Sequence, residues 1–206
     1  SGRAATILEL STVSGGLCVQ LNVSDGKLTA ELGACEGLLV QGLATTDETL
    51  AAARAHIRAK GLCGRVSVSL CGPRRLPYAE NLVNLIVSDD LGGLLGKGLS
   101  LAEVLRVLAP RGVLCARGGW ADKLKSAGFV GVKSAGGWTA AAKPVPEDMD
   151  EWTHWRYAPH GNAVSRDRVG VPCSLRWQAG PLYQTGGHYY GGGAPVSAGG
   201  RLFTVV

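Results

Sequence analysis

A chain of 206 residues, 46% hydrophobic and only 18% charged, has apolar material for one sizeable core and part of a second unit. Its net charge of +5 comes from Lys and Arg scattered along the chain, and basic runs interleaved with aromatics are absent, so no nucleic-acid partner is expected. No stretch approaches the length of a membrane span.

The chain opens at Ser1-Gly2-Arg3 with no initiator Met, the mark of processing or of a tag scar. Cys18, Cys35, Cys63, Cys71, Cys115 and Cys173 form no CxxC pair, so neither a zinc nor a redox motif is indicated. Several lie in apolar runs, where a free thiol behaves as a small hydrophobe.

Residues 3–11 read as a short helix. Leu17–Leu21 is an apolar strand, followed by the turn Asn22-Val23-Ser24-Asp25-Gly26, and Ser24 or Asp25 can cap a helix running to about Cys35. Residues 38–43 form a second, unbroken apolar strand, as a central parallel strand should be. Thr46 and Asp47 cap a helix over 48–60 that Gly61 ends. Strands follow at 65–70, 82–87 and 113–116. A helix capped by Ser100 reaches Leu108 before Pro110, another covers 121–127, and two short strands near 129–134 and 137–142 complete the pattern. Strands alternating with helices predict an α/β, Rossmann-like, doubly wound and mainly parallel sheet over residues 3–142, with Leu17–Leu21 central. The opening strand, turn and helix stand where such folds cradle a phosphate or cofactor.

Residues 143–150, with Pro144, Pro146, Glu147 and Asp148, read as a linker. Residues 151–206 differ in kind. They carry Trp152, Trp155, Trp177, Tyr157, Tyr183, Tyr189 and Tyr190 among glycine runs such as Gly191-Gly192-Gly193, with no helical period. So short a glycine-rich segment makes a poor core of its own. Trp152, Trp155 and Trp177 are therefore expected to pack on another surface, and Leu202–Val206 to pair with strands outside this chain. His154 and His160 match no standard zinc spacing, and no metal site is expected.

The first part resembles the class I S-adenosylmethionine-dependent methyltransferases. The likeness rests on the opening strand-turn-helix, on Leu76-Pro77-Tyr78 before the fourth strand, and on the helix, turn and strand of Val104–Leu114, and it spans about two thirds of the chain. It implies S-adenosylmethionine as cofactor. The departures fall on the positions that would bind it. The family's loop glycines would stand at Asn22, Ser24 and Gly26, of which only Gly26 is glycine. The ribose-gripping acid would stand at Ala44, the acid near the adenine at Gly72, and the acid of the fourth strand at Asn84. Asp25, Asp47, Asp89 and Asp90 are the carboxylates left to compensate, and no catalytic residue is assigned. A nicotinamide-binding Rossmann domain is disfavoured by the lack of GxGxxG and of a terminal acid on the second strand.

The second part resembles the entry into a β-propeller of the pyrroloquinoline-quinone-like repeat type, on Asp150–Trp155, Gly161–Ser165, Leu175–Pro181 and Val196–Phe203. Exported proteins of planctomycete type resemble this order of parts. The resemblance implies export, a protein continuing past Val206, and the rest of a propeller or another protein chain as partner. Together the two likenesses imply a methyltransferase-fold domain with a degenerate cofactor site that serves as a structural or docking module. The alternative is an active methyltransferase of unknown acceptor.

Overall fold

The computed structural model describes residues 2–167, 196–199 and 201–203. The chain divides into two units, Ser1–Pro144 and Val145–Val206.

In the first unit β1 (Gly16–Leu21), β2 (Leu38–Ala44), β3 (Val66–Leu70), β4 (Val83–Ser88), β5 (Leu108–Arg117), β6 (Val130–Ala135) and β7 (Trp138–Ala142) form one sheet. Its order is β3-β2-β1-β4-β5-β7-β6. Pairing is parallel from β3 to β5, and β7 runs antiparallel between β5 and β6. The sheet is thus mainly parallel with β1 central.

Helices cover both faces. On one, α1 (Arg3–Ser11), α2 (Lys27–Gly33) and α3 (Asp47–Ala59) bury Ile7, Leu28, Leu32, Ala53 and Ile57 against Cys18, Val40, Val68, Leu85 and Cys115. On the other, α4 (Leu91–Gly96), α5 (Leu101–Val107) and α6 (Ala121–Ser126) bury Leu91, Leu94, Val104 and Leu124 with Val19, Leu43, Ile86 and Leu114. Burial keeps the thiols of this core protonated and pushes that of Cys115 up to about 12.

The connection from β3 to β4 holds no helix, so the second face of β3 lacks a cover. Ser67 there is exposed, as is Leu39 on β2 at 55%. This explains why the third strand alternates Val66-Ser67-Val68 instead of running apolar throughout.

Local chemistry sets the helix ends. Thr46 Oγ1 accepts from the Thr49 N–H at 3.3 Å, and Ser100 Oγ from the Glu103 N–H at 3.1 Å. Several boundaries differ from expectation, most by one residue. Gly26, not Ser24 or Asp25, is the residue before α2, while Asp25 Oδ1 accepts from the Lys27 N–H at 3.0 Å. α5 stops at Val107 because Leu108 is already extended and pairs with Val83. The fifth strand therefore starts five residues earlier than Val113, with an irregularity at Ala109–Gly112. Helix α4 was not foreseen at all.

In the second unit β8 (Val196–Ala198) and β9 (Arg201–Phe203) form an antiparallel hairpin. Trp152 joins it: its N–H donates to Ser197 Oγ at 2.8 Å, and its carbonyl accepts from the Ser197 N–H at 2.7 Å. Leu202 and Phe203 pair with Ser197 and Val196 within this chain. A local hairpin closes a short loop, which costs less entropy than a distant partner. Trp152 lies 5.5 Å from the Tyr157 ring, and Trp155 is 70% exposed. Trp177, Leu175–Pro181 and residues 204–206 lie outside the described residues. Among those described, no helix is long and apolar enough to cross a membrane.

Candidate functional site

In an open α/β sheet, ligands bind beyond the carboxyl ends of the strands where strand order reverses. Here the reversal lies between β1 and β4. The loops after β1, β2, β3 and β4 gather at this edge, and they or the element ends beside them hold every site position read from the sequence except Asn84.

The turn after β1 keeps its shape without its first glycines. Asn22 adopts φ 54, the left-handed conformation that asparagine tolerates better than most residues. Thr45 Oγ1 donates to Asn22 Oδ1 at 3.2 Å, and the Val23 N–H donates to the Leu43 carbonyl at 2.9 Å. The loop is laced onto the end of β2. Ser24 and Asp25 are exposed, and Lys27 pairs with Asp25 at 3.0 Å. The Lys27 backbone N–H, more than its ammonium, holds the Asp25 carboxyl below its usual range.

Ala44 is fully buried at the end of β2, and its carbonyl accepts from the Cys71 N–H at 2.9 Å. Gly72 follows, with open space where a side chain would extend. Between these loops lies a cleft lined by Asn22, Thr45 and Gly72 and walled by Leu43, Leu76, Leu94 and Leu99. Its volume is ≈ 10 Å³, about one water, whereas small-molecule sites run from about 300 to 1,000 Å³.

Asp89 stands apart from its neighbours. Asp90 is spent as the cap of α4, accepting from the Gly93 N–H at 2.9 Å, and Asp47 is exposed in the first turn of α3. Asp89 is half-buried beyond β4. Among the described residues, its Oδ1 and the Oγ of fully buried Ser88 have no hydrogen-bond partner. Burial pushes the Asp89 carboxyl up, while Arg3 and Arg117 pull it down and Asp25 and Glu31 add smaller upward pushes. The structure thus gathers Asn22, Asp25, Gly26, Ala44, Gly72 and Asp89 at one edge.

Asn84 lies away from them. Its Oδ1 accepts from the Leu17 N–H at 2.9 Å and would meet a β-carbon on Gly16 at 2.2 Å. It latches the start of β1 to β4. Ser88 was missed from the sequence; the signal available was a hydroxyl following the apolar run Leu85–Val87.

No family model matches the chain, and no curated protein matches it. Solved structures do. An S-adenosylmethionine-dependent methyltransferase from Aquifex aeolicus aligns at TM-score 0.55 and 18% identity over 68% of this chain and 87% of that one. A structure of the complex between the Haloferax volcanii Trm112 methyltransferase activator and its methyltransferase aligns at 0.57 and 15%, over 70% and 89%. The [4+2]-cyclase SpnF aligns at 0.54 and 20%, over 64% and 57%. At such identities the likeness is one of fold: the first unit has the fold of the class I S-adenosylmethionine-dependent methyltransferases.

Proposed function

We propose that the first unit is a methyltransferase-fold domain whose S-adenosylmethionine site has degenerated, and that it serves as a structural or docking module for a quinone-type β-propeller that begins in the second unit. The observation that carries the reading is the cleft of ≈ 10 Å³, narrowed by leucines where the resemblance puts the nucleoside. Ala44 and Gly72 supply no carboxylate to it. Losing one charge-assisted ribose contact costs about 1.5–3 kcal/mol, or roughly 10- to 150-fold in affinity. The residues present do not fit the cofactor.

A docking role has a parallel in the Haloferax volcanii neighbour, solved in complex with an activator. The cyclase neighbour supports the wider point that this fold does not dictate methyl transfer. One observation favours the alternative, an active methyltransferase: Ser88 Oγ and Asp89 Oδ1 are polar atoms with no partner among the described residues, at the edge where a substrate would sit.

Calorimetric titration with S-adenosylmethionine and its demethylated product separates the two. The expected result is no saturable heat up to millimolar cofactor. A micromolar or tighter dissociation constant overturns the proposal in favour of the active enzyme.

A further inference from the structure

At the opposite, amino-terminal edge of the sheet, the end of α1 and strands β5, β7 and β6 border a groove open to solvent, of ≈ 390 Å³. That is within the range of small-molecule sites, which combine an apolar lining with a few placed polar groups. Leu10, Val13, Val113 and Ala140 form its apolar lining and belong to, or pack on, the core of that face. The space exists because Ala140 and Gly131 offer no bulk and β6 changes register between Val130 and Lys133. Arg111 and Lys133, both exposed, supply the charges, and no carboxylate lines the hollow.

Arg111 carries a second, independent observation. Its φ is 67, in the left-handed region that suits glycine and strains other residues. Its neighbour Gly112 is fixed by packing, since a β-carbon there would lie 2.8 Å from the carbonyl oxygens of Ala109 and Val83. The turn therefore requires one glycine and favours two, yet the sequence holds an arginine at the first. Strain of this kind in a non-glycine residue collects at ligand sites.

We infer that this hollow binds an amphipathic acid: one carboxylate, paired with Arg111 and Lys133, on an aliphatic chain that covers Leu10, Val13 and Val113. A cation is repelled by both charged groups. A small, fully polar anion gains nothing from the lining, and a neutral apolar ligand leaves both cations unpaired. The site is at the other end of the sheet from the methyltransferase-like cleft and does not depend on whether that cleft works.

The test is an amide NMR titration of the full chain with octanoate, with octanol and acetate in parallel. Octanoate should shift Leu10, Val13, Lys133 and Ala140 saturably, and octanol and acetate should bind at least tenfold more weakly. Arg111→Gly should raise the melting temperature by relieving the backbone, yet weaken octanoate at least tenfold. Lys133→Gln should weaken it with the fold unchanged. The proposal is overturned if octanoate causes no saturable shift, or if the shifts lie at the carboxyl ends of β1 and β4. It is equally overturned if Arg111→Gly binds as well as the parent, or lowers the melting temperature, which would make Arg111 a structural residue.

Discussion

A β-carbon on Gly26 would lie 2.8 Å from the Cα of Ala53, and Gly26 itself has φ 74. The one glycine of the expected cofactor loop that survives is thus required where α2 meets α3, with no ligand needed to explain it. Its survival says nothing in favour of a working cofactor site.

Gly26→Ala should therefore destabilise the fold by about 2–4 kcal/mol, the sum of a left-handed penalty and an overpacked contact. Urea unfolding measures this. A loss of only a few tenths of a kcal/mol would return Gly26 to a ligand-binding role.

Glu103 ties α5 to the segment before β4. It pairs with Arg106 at 2.7 Å and accepts from the Leu76 N–H at 2.8 Å, while Arg106 also donates to the Tyr78 carbonyl at 2.9 Å. The Arg106 hydrogen bond, first among the causes, holds the Glu103 carboxyl below its ordinary 4.5. A depressed acid contributes stability that is complete above its ordinary value and is lost as pH falls through the folded one. Glu103→Gln should lower stability at pH 7 by about 1–3 kcal/mol and flatten its decline below about pH 4.5. Urea midpoints between pH 7 and pH 3 decide it; an unchanged acid limb would remove Glu103 from the network.

Asp89 should behave in the opposite sense. Its folded value is raised by burial, so ionisation opposes folding and its cost appears as pH rises through the carboxylate range. Asp89→Asn should stabilise the protein at pH 7 and make no difference at pH 3, where both side chains are neutral. Thermal melts at the two pH values test this, and destabilisation at pH 7 would show that the Asp89 charge already has a partner.

In the second unit Asp150 is the organising carboxylate. It accepts from the Tyr157 hydroxyl, from the Glu151 N–H at 2.9 Å and from the Arg166 N–H at 2.9 Å. The Tyr157 hydroxyl first, then Arg166, hold it well below the usual carboxylate range. Asp150→Asn should speed amide exchange across residues 150–166 while leaving the melting temperature of the first unit unchanged. A matching loss in both would mean that the two units unfold together.

The sequence determined the elements that depend on neighbours along the chain. Apolar runs such as Val113–Ala116 marked central strands because both faces are buried, and Thr46 and Ser100 marked helix starts because a side-chain oxygen there meets a free N–H. The alternation of Val66, Ser67 and Val68 even recorded an uncovered sheet face, although that meaning needed the structure. What only tertiary contact decided is what each residue at the site is for. Asp89 and Asp90 are chemically identical neighbours, yet Asp90 caps α4 and Asp89 keeps a buried oxygen without a partner among the described residues. Asn84, placed by the family resemblance among the cofactor positions, is a latch on Leu17. The cleft is walled by Leu43, Leu76, Leu94 and Leu99, which lie far apart in the sequence and meet only when the sheet is covered. Spacing along a chain reports which backbone groups a residue can reach locally, whereas the volume left between packed side chains belongs to the assembled fold.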